Sequence, residues 1–256
     1  MVLWVGAIYI VSTLSSDIKM NYDNPAARLL SIIENGKKID ANFNCRAAWQ
    51  NLLSVGNNNN PLLMSRLGKV MELPELIINA LKEMFPLQGN TWSHWEAQVN
   101  SGFMSQDLNA SWNSFIGKID SHSITYLKLA SDLLQAKSNT KILADDQLKD
   151  VRARLFELHE DIVSRDLDED VKKYLSRYIK KILVSIDEYK ITGALPLLET
   201  IETTVGHAHL HPGYKNFLTD TELGKKLLDT LASMANVVTV AVGVPQLSHT
   251  IALLAN

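Results

Sequence analysis

Three histidines spaced two apart, His207, His209 and His211, are the residues of this chain whose type and spacing could do chemistry. On a strand all three would share one face; on a helix only His207 and His211 would. Glu199 and Glu202 lie just upstream. Imidazole and carboxylate ligands could therefore converge on zinc or another divalent ion and serve a metal-dependent enzyme. Against this, the cluster runs into the turn Pro212-Gly213, and no HExxH, Cys-x-x-Cys or Asp-rich segment completes a ligand set. The plainer reading is a helix end with polar histidines in solvent. On that reading no catalytic residue and no cofactor is expected.

Lys172, Lys173, Arg177, Lys180 and Lys181 form a basic stripe. Such a stripe could meet an anionic surface: lipid headgroups, RNA or an acidic protein. The preferred reading is a solvated face, paired with Asp150, Glu157, Glu160 and Asp161 just before it. A net charge of −3 speaks against nucleic acid as the partner. Trp92, Trp95, Trp112 and Phe115 fall at helical spacings that suit a packed core better than a stacking site. Cys45 is the only cysteine, which rules out an intramolecular disulfide and fits a cytoplasmic protein. Beside Trp49 it reads as a small buried residue rather than a reactive thiol. No phosphate loop, nucleophile elbow, kinase or dinucleotide motif is present, so the balance leans away from an enzyme.

The elements that must position these residues are helical almost throughout. Apolar residues make up 46% and charged residues 21% of the 256-residue chain, an ordinary globular balance. Asn24-Pro25 opens a helix ending near Asn35-Gly36, and a short one runs from Cys45 to Leu53. Leu62–Met71 and Pro74–Met84 read as two helices, with Pro74 starting the second. Trp92, Trp95 and Val99 mark another, and Trp112, Phe115, Ile116 and Ile119 repeat the spacing before Ile124–Leu134. Leu148, Val151, Leu155, Leu158 and Ile162 form one seam. After the polar break Asp166–Asp168, a second seam carries Val171, Leu175, Tyr178, Ile182, Ile186 and Tyr189. Two seams joined by a tight polar loop predict a central antiparallel helical hairpin.

The stretch from Thr230 to Asn256 carries no Lys, Arg, Asp or Glu. It must be buried in its own fold, in a second copy, or in lipid. Ala235, Thr239 and Gly243 make a small-residue stripe suited to close helix packing, as at membrane helix interfaces. Pro245 splits the segment, and the Val-rich run before it could also be a buried strand. Ser233, Asn236, Gln246, Ser248 and His249 dilute its apolar character. At the other end, the apolar run Val2–Val11 has three readings: a buried element, a non-standard signal, or text preceding a true start at Met20, the last being preferred.

The expectation is an all-α, multi-helix bundle with the central hairpin. Its regions are a helical 1–140, a hairpin 141–190, and 191–256 with the uncharged tail. The expected function is a non-catalytic, oligomeric protein-interaction module in the cytoplasm. The first alternative is a membrane-targeting effector, of the bacterial toxin or abortive-infection type, acting through residues 230–256. The second is the metal-dependent enzyme.

Overall fold

The computed structural model describes residues 20–138 and 140–243. The protein is all-α: among the described residues there are twelve α-helices and no strand, only one isolated bridge between Asn44 and Ser111. The chain divides into two compact units, Met1–Lys137 and Ser138–Asn256.

The first unit is built around α1 (Pro25–Gly36). Pro25 fits the first helical position, where no N–H is needed. The Asn24 side chain accepts from the Ala27 N–H and donates to the Ser131 carbonyl, fixing the start of α1 against α6 (Ser121–Lys137). Leu29, Ile32 and Ile33 are fully buried, and so is Arg28, which pairs with the equally buried Asp23. The helix ends under the indole of Trp112, whose N–H donates to the Gly36 carbonyl at 2.8 Å. On it pack α2 (Cys45–Leu52) and α3 (Asn60–Met84), while α4 (Ser93–Ser105) packs on α3, α6 and the short α5 (Asn113–Ile116). Trp49, Phe103, Trp112 and Phe115 form one aromatic core.

Two expectations are corrected here. Pro74 does not start a helix; it lies inside the continuous α3. Leu63, Leu67, Val70, Leu73, Ile77 and Leu81 are all buried, and this unbroken face outweighs the cost of about 3 kcal/mol that an interior proline carries. Trp112–Ile119 forms only the single turn α5. The N–H groups of Trp112 and Asn113 are bonded to the Phe43 and Ala41 carbonyls instead.

The second unit holds α7 (Asp145–Ser164), α8 (Glu169–Asp187), α9 (Tyr189–Thr192), α10 (Leu195–Gly206), α11 (Pro212–Asp220) and α12 (Glu222–Val242), with a 3₁₀ turn over His207–His209. Asp168 caps α8 by accepting from the Asp170 and Val171 N–H groups. The helices α7 and α8 pack on each other. Arg152 near the start of α7 pairs with Asp187 at the end of α8 at 2.7 Å, and Asp145 pairs with Lys190 at 3.1 Å. Residues 141–190 and 191–243 share this unit, since α12 packs on α7, α10 and α11, and α8 on α10 and α11. The Val-rich run is helical through Val242, not a strand, and Gly243 ends α12 in the left-handed conformation at φ 76°. The run Val2–Val11 and the arm after Pro245 lie outside the described residues.

Gly224 marks the closest approach of α11 and α12. An added Cβ would lie 2.0 Å from the Phe217 carbonyl oxygen and 2.6 Å from Leu218 Cα. At Gly68 in α3 nothing lies within 4 Å of the same position. Gly224→Ala should destabilise the protein by about 1–3 kcal/mol or more, and Gly68→Ala should stabilise it by about 0.5–1 kcal/mol. Chemical denaturation of both variants checks this; equal midpoints would contradict the close packing of α11 on α12.

Candidate functional site

The histidines sit where α10 runs out. The helix tightens into the 3₁₀ turn His207–His209, and Pro212 then starts α11. Because this backbone is helical rather than extended, His207 and His211 fall on one side and His209 on the other. The rings of His207 and His211 stack with centroids 5.9 Å apart, while His209 is exposed. Glu199 and Glu202 are exposed on α10. Among the described residues no three His, Cys, Asp or Glu side chains are grouped to hold a metal ion. The spacing therefore does not bring His207, His209, His211, Glu199 and Glu202 together.

Three tyrosines surround His207 instead. Tyr174 and Tyr178 of α8 lie 4.4 and 5.3 Å from its ring centroid, and Tyr214 of α11 lies 5.2 Å away. The sequence places Tyr178 only in the α8 seam and gives Tyr174 and Tyr214 no role. The i, i+4 pair Tyr174 and Tyr178 was the available signal for a shared surface. The Tyr214 hydroxyl donates to the Thr204 carbonyl at 3.2 Å, and burial pushes its phenol up. His211 Nδ1 accepts from the Tyr214 N–H at 3.1 Å and so caps α11. That role requires an unprotonated Nδ1. His207 Nε2 is buried with no hydrogen-bond partner. Neither ring is paired with a carboxylate among the described residues. The chemistry this arrangement offers is titration.

The basic stripe lies on the outside of α8. Lys172 is half-buried and its ammonium donates to the Arg165 carbonyl at 2.9 Å. Lys173, Arg177, Lys180 and Lys181 are exposed, and none forms an ion pair among the described residues. The acidic residues of α7 do not neutralise them. Asp150 pairs with Arg154 of its own helix at 2.7 Å, and the Glu160 carboxylate contacts His159 at 3.5 Å.

Ala235 and Thr239 are buried within the second unit, and the Thr239 hydroxyl turns back to the Ala235 carbonyl at 2.8 Å. Gly243 serves as the helix stop. Among the described residues no helix is long and apolar enough to cross a membrane. The aromatics Trp92, Trp95, Trp112 and Phe115 are all buried. Cys45 is fully buried, and burial pushes its thiol up. Comparison of the chain with protein-family models, with curated proteins and with solved structures yields no match.

Burial first, and then the charges of His211 and Arg177, hold the His207 imidazole below its ordinary value. The unfolded chain thus takes up a proton at His207 more readily than the folded one. This contribution to stability is complete above the unfolded value of about 6.5 and is lost as pH falls from there toward the folded value. The melting temperature should fall between about pH 7 and pH 5, and His207→Phe should flatten that fall. Thermal unfolding followed by helical circular dichroism across this range is the check; a variant whose pH profile matches the wild type would rule His207 out.

Proposed function

We propose that the chain is a non-catalytic helical interaction module whose second unit docks an acidic protein surface on the exposed face of α8. The observation that carries this reading is the group Lys173, Arg177, Lys180 and Lys181, four exposed cations without an ion-pair partner among the described residues. Like charges three and four residues apart on a helix repel one another, so this row costs stability until a partner covers it. An acidic surface supplies that complement and speeds encounter.

A protein suits this face better than a nucleic acid or a bilayer. The row from Lys173 to Lys181 spans only about 12 Å of helix. It is flanked by the exposed carboxylates of Glu169 and Asp170, which would repel an extended phosphate or lipid surface. The single cysteine, reduced and buried, suits work in the cytoplasm.

The test uses immobilised poly-L-glutamate as the acidic probe. Replacing Lys173, Arg177, Lys180 and Lys181 with Gln should weaken binding at low salt by about tenfold or more. Replacing the exposed Lys149, Lys215, Lys225 and Lys226 with Gln should change it by less than about threefold. Equal losses in the two sets would reduce the effect to net charge. Tighter binding of phosphatidylserine vesicles or RNA through the same four residues would replace the protein partner with a lipid or nucleic-acid one.

A further inference from the structure

The same unit that leaves a cationic row uncovered also leaves an acidic one. Glu157, Glu160 and Asp161 are exposed on the last turns of α7. Glu157 and Asp161 stand four residues apart, so they repel each other along the helix. Neither forms an ion pair among the described residues, and Glu160 reaches only the adjacent His159. Although α7 and α8 pack together and Arg152 of α7 meets Asp187 of α8, these two rows form no ion pair with each other among the described residues. Each row therefore lacks a complement that the other could provide from a second molecule.

Both rows carry exposed apolar side chains where an interface would need them. On α7, Phe156, Glu160 and Val163 follow at i, i+4 and i+7, with Phe156 and Val163 being 39% and 47% exposed. On α8, Val184, 49% exposed, continues the line of Lys173, Arg177 and Lys180 at helical spacing. The α7 strip from Phe156 to Val163 runs about 10 Å and the α8 strip from Lys173 to Val184 about 16 Å, so the first fits along the second.

Resting on the docking role proposed above, we infer that the acidic surface taken by α8 is the α7 strip of a second copy of this chain. The pairing is two-fold. The α7 strip of one copy lies on the α8 strip of its partner, and the reciprocal contact follows from symmetry. Such an arrangement neutralises all four rows of the pair and covers the exposed Phe156, Val163 and Val184 of both copies.

Sedimentation velocity of the full chain tests this, at low salt and near 1 M salt, where exposed charges are screened within about 3 Å. The chain should sediment as a dimer at low salt and dissociate as salt rises. K173E/R177E/K181E and E157K/E160K/D161K should each raise the dissociation constant by about tenfold or more. Mixed in equal amounts, the two variants should pair again to within about threefold of the wild type, since one contact of the mixed pair is the wild-type one and the other is restored with its signs exchanged. Unchanged helical circular dichroism shows that the variants fold. If a reversal variant does not, the Gln replacements of the same residues take its place and should also weaken the dimer. A wild-type chain that stays monomeric at low salt, reversal variants that still dimerise, or a mixture that fails to pair would overturn the inference. A monomer that binds poly-L-glutamate through α8 leaves the docking role standing with a different protein as partner; a monomer that does not bind it removes both.

Discussion

Each unit is organised around one helix with a face that water cannot reach. In the first it is α1, buried on nearly every side; in the second it is α12, whose Leu227, Leu231, Met234, Ala235, Val238 and Ala241 are covered by neighbouring helices. A helix satisfies its own backbone, so the burden of enclosing it falls on side chains alone. Every polar group carried inside then needs a local partner. Thr239 folds back on Ala235, Thr204 on Thr200, and the Tyr214 hydroxyl reaches Thr204. At the start of α1, Asn24 bonds both its own helix and α6. These bonds add little net energy apiece, but leaving such groups unpaired would cost more than each contributes.

Much of this architecture was legible in the residues. Asn24-Pro25 marked the start of α1, and Asp168 marked that of α8, because capping chemistry is local and needs no knowledge of the fold. The absence of charge from Thr230 onward pointed to burial, and the inner face of α12 is buried through Ala241, while Ser233, Asn236 and Val240 stay exposed. What could not be read were the outcomes that tertiary contact decides. Pro74 looked like a helix start, yet the apolar face on both sides of it carries α3 straight through. Trp112 and Phe115 kept helical spacing, but backbone bonds from Phe43 and Ala41 hold the chain open there. The valines before Gly243 favour strands in isolation, and no neighbouring strand exists among the described residues for them to pair with.

The candidate site divides in the same way. The cationic row on α8 was visible from composition and spacing. Whether α7 neutralises it was not, because that depends on the rotation of two packed helices about their axes. The histidine cluster misled for a related reason: alternate residues converge on a strand and diverge on a helical turn. Its actual surroundings, Tyr174, Tyr178 and Tyr214, come from two other stretches of chain and left no trace near residue 207 beyond the spacing of the first two.

Arg177 links the two features. It stands in the exposed row, and its charge is, after burial and His211, one of the causes that lower the His207 imidazole below its ordinary value. A carboxylate set against Arg177 would offset that charge and so ease protonation of His207. By linkage, protonation would favour the acidic partner to the same degree. The coupling is bounded, because burial is the greater cause and no partner on the outer face of α8 relieves it. Acid therefore acts in two directions at this junction. It would charge the half-buried ring of His207 between α8 and α11, and it would strengthen the draw of the cationic face for acidic groups. Desolvation governs the first effect and Coulomb attraction across solvent the second, so added salt weakens the second far more than the first.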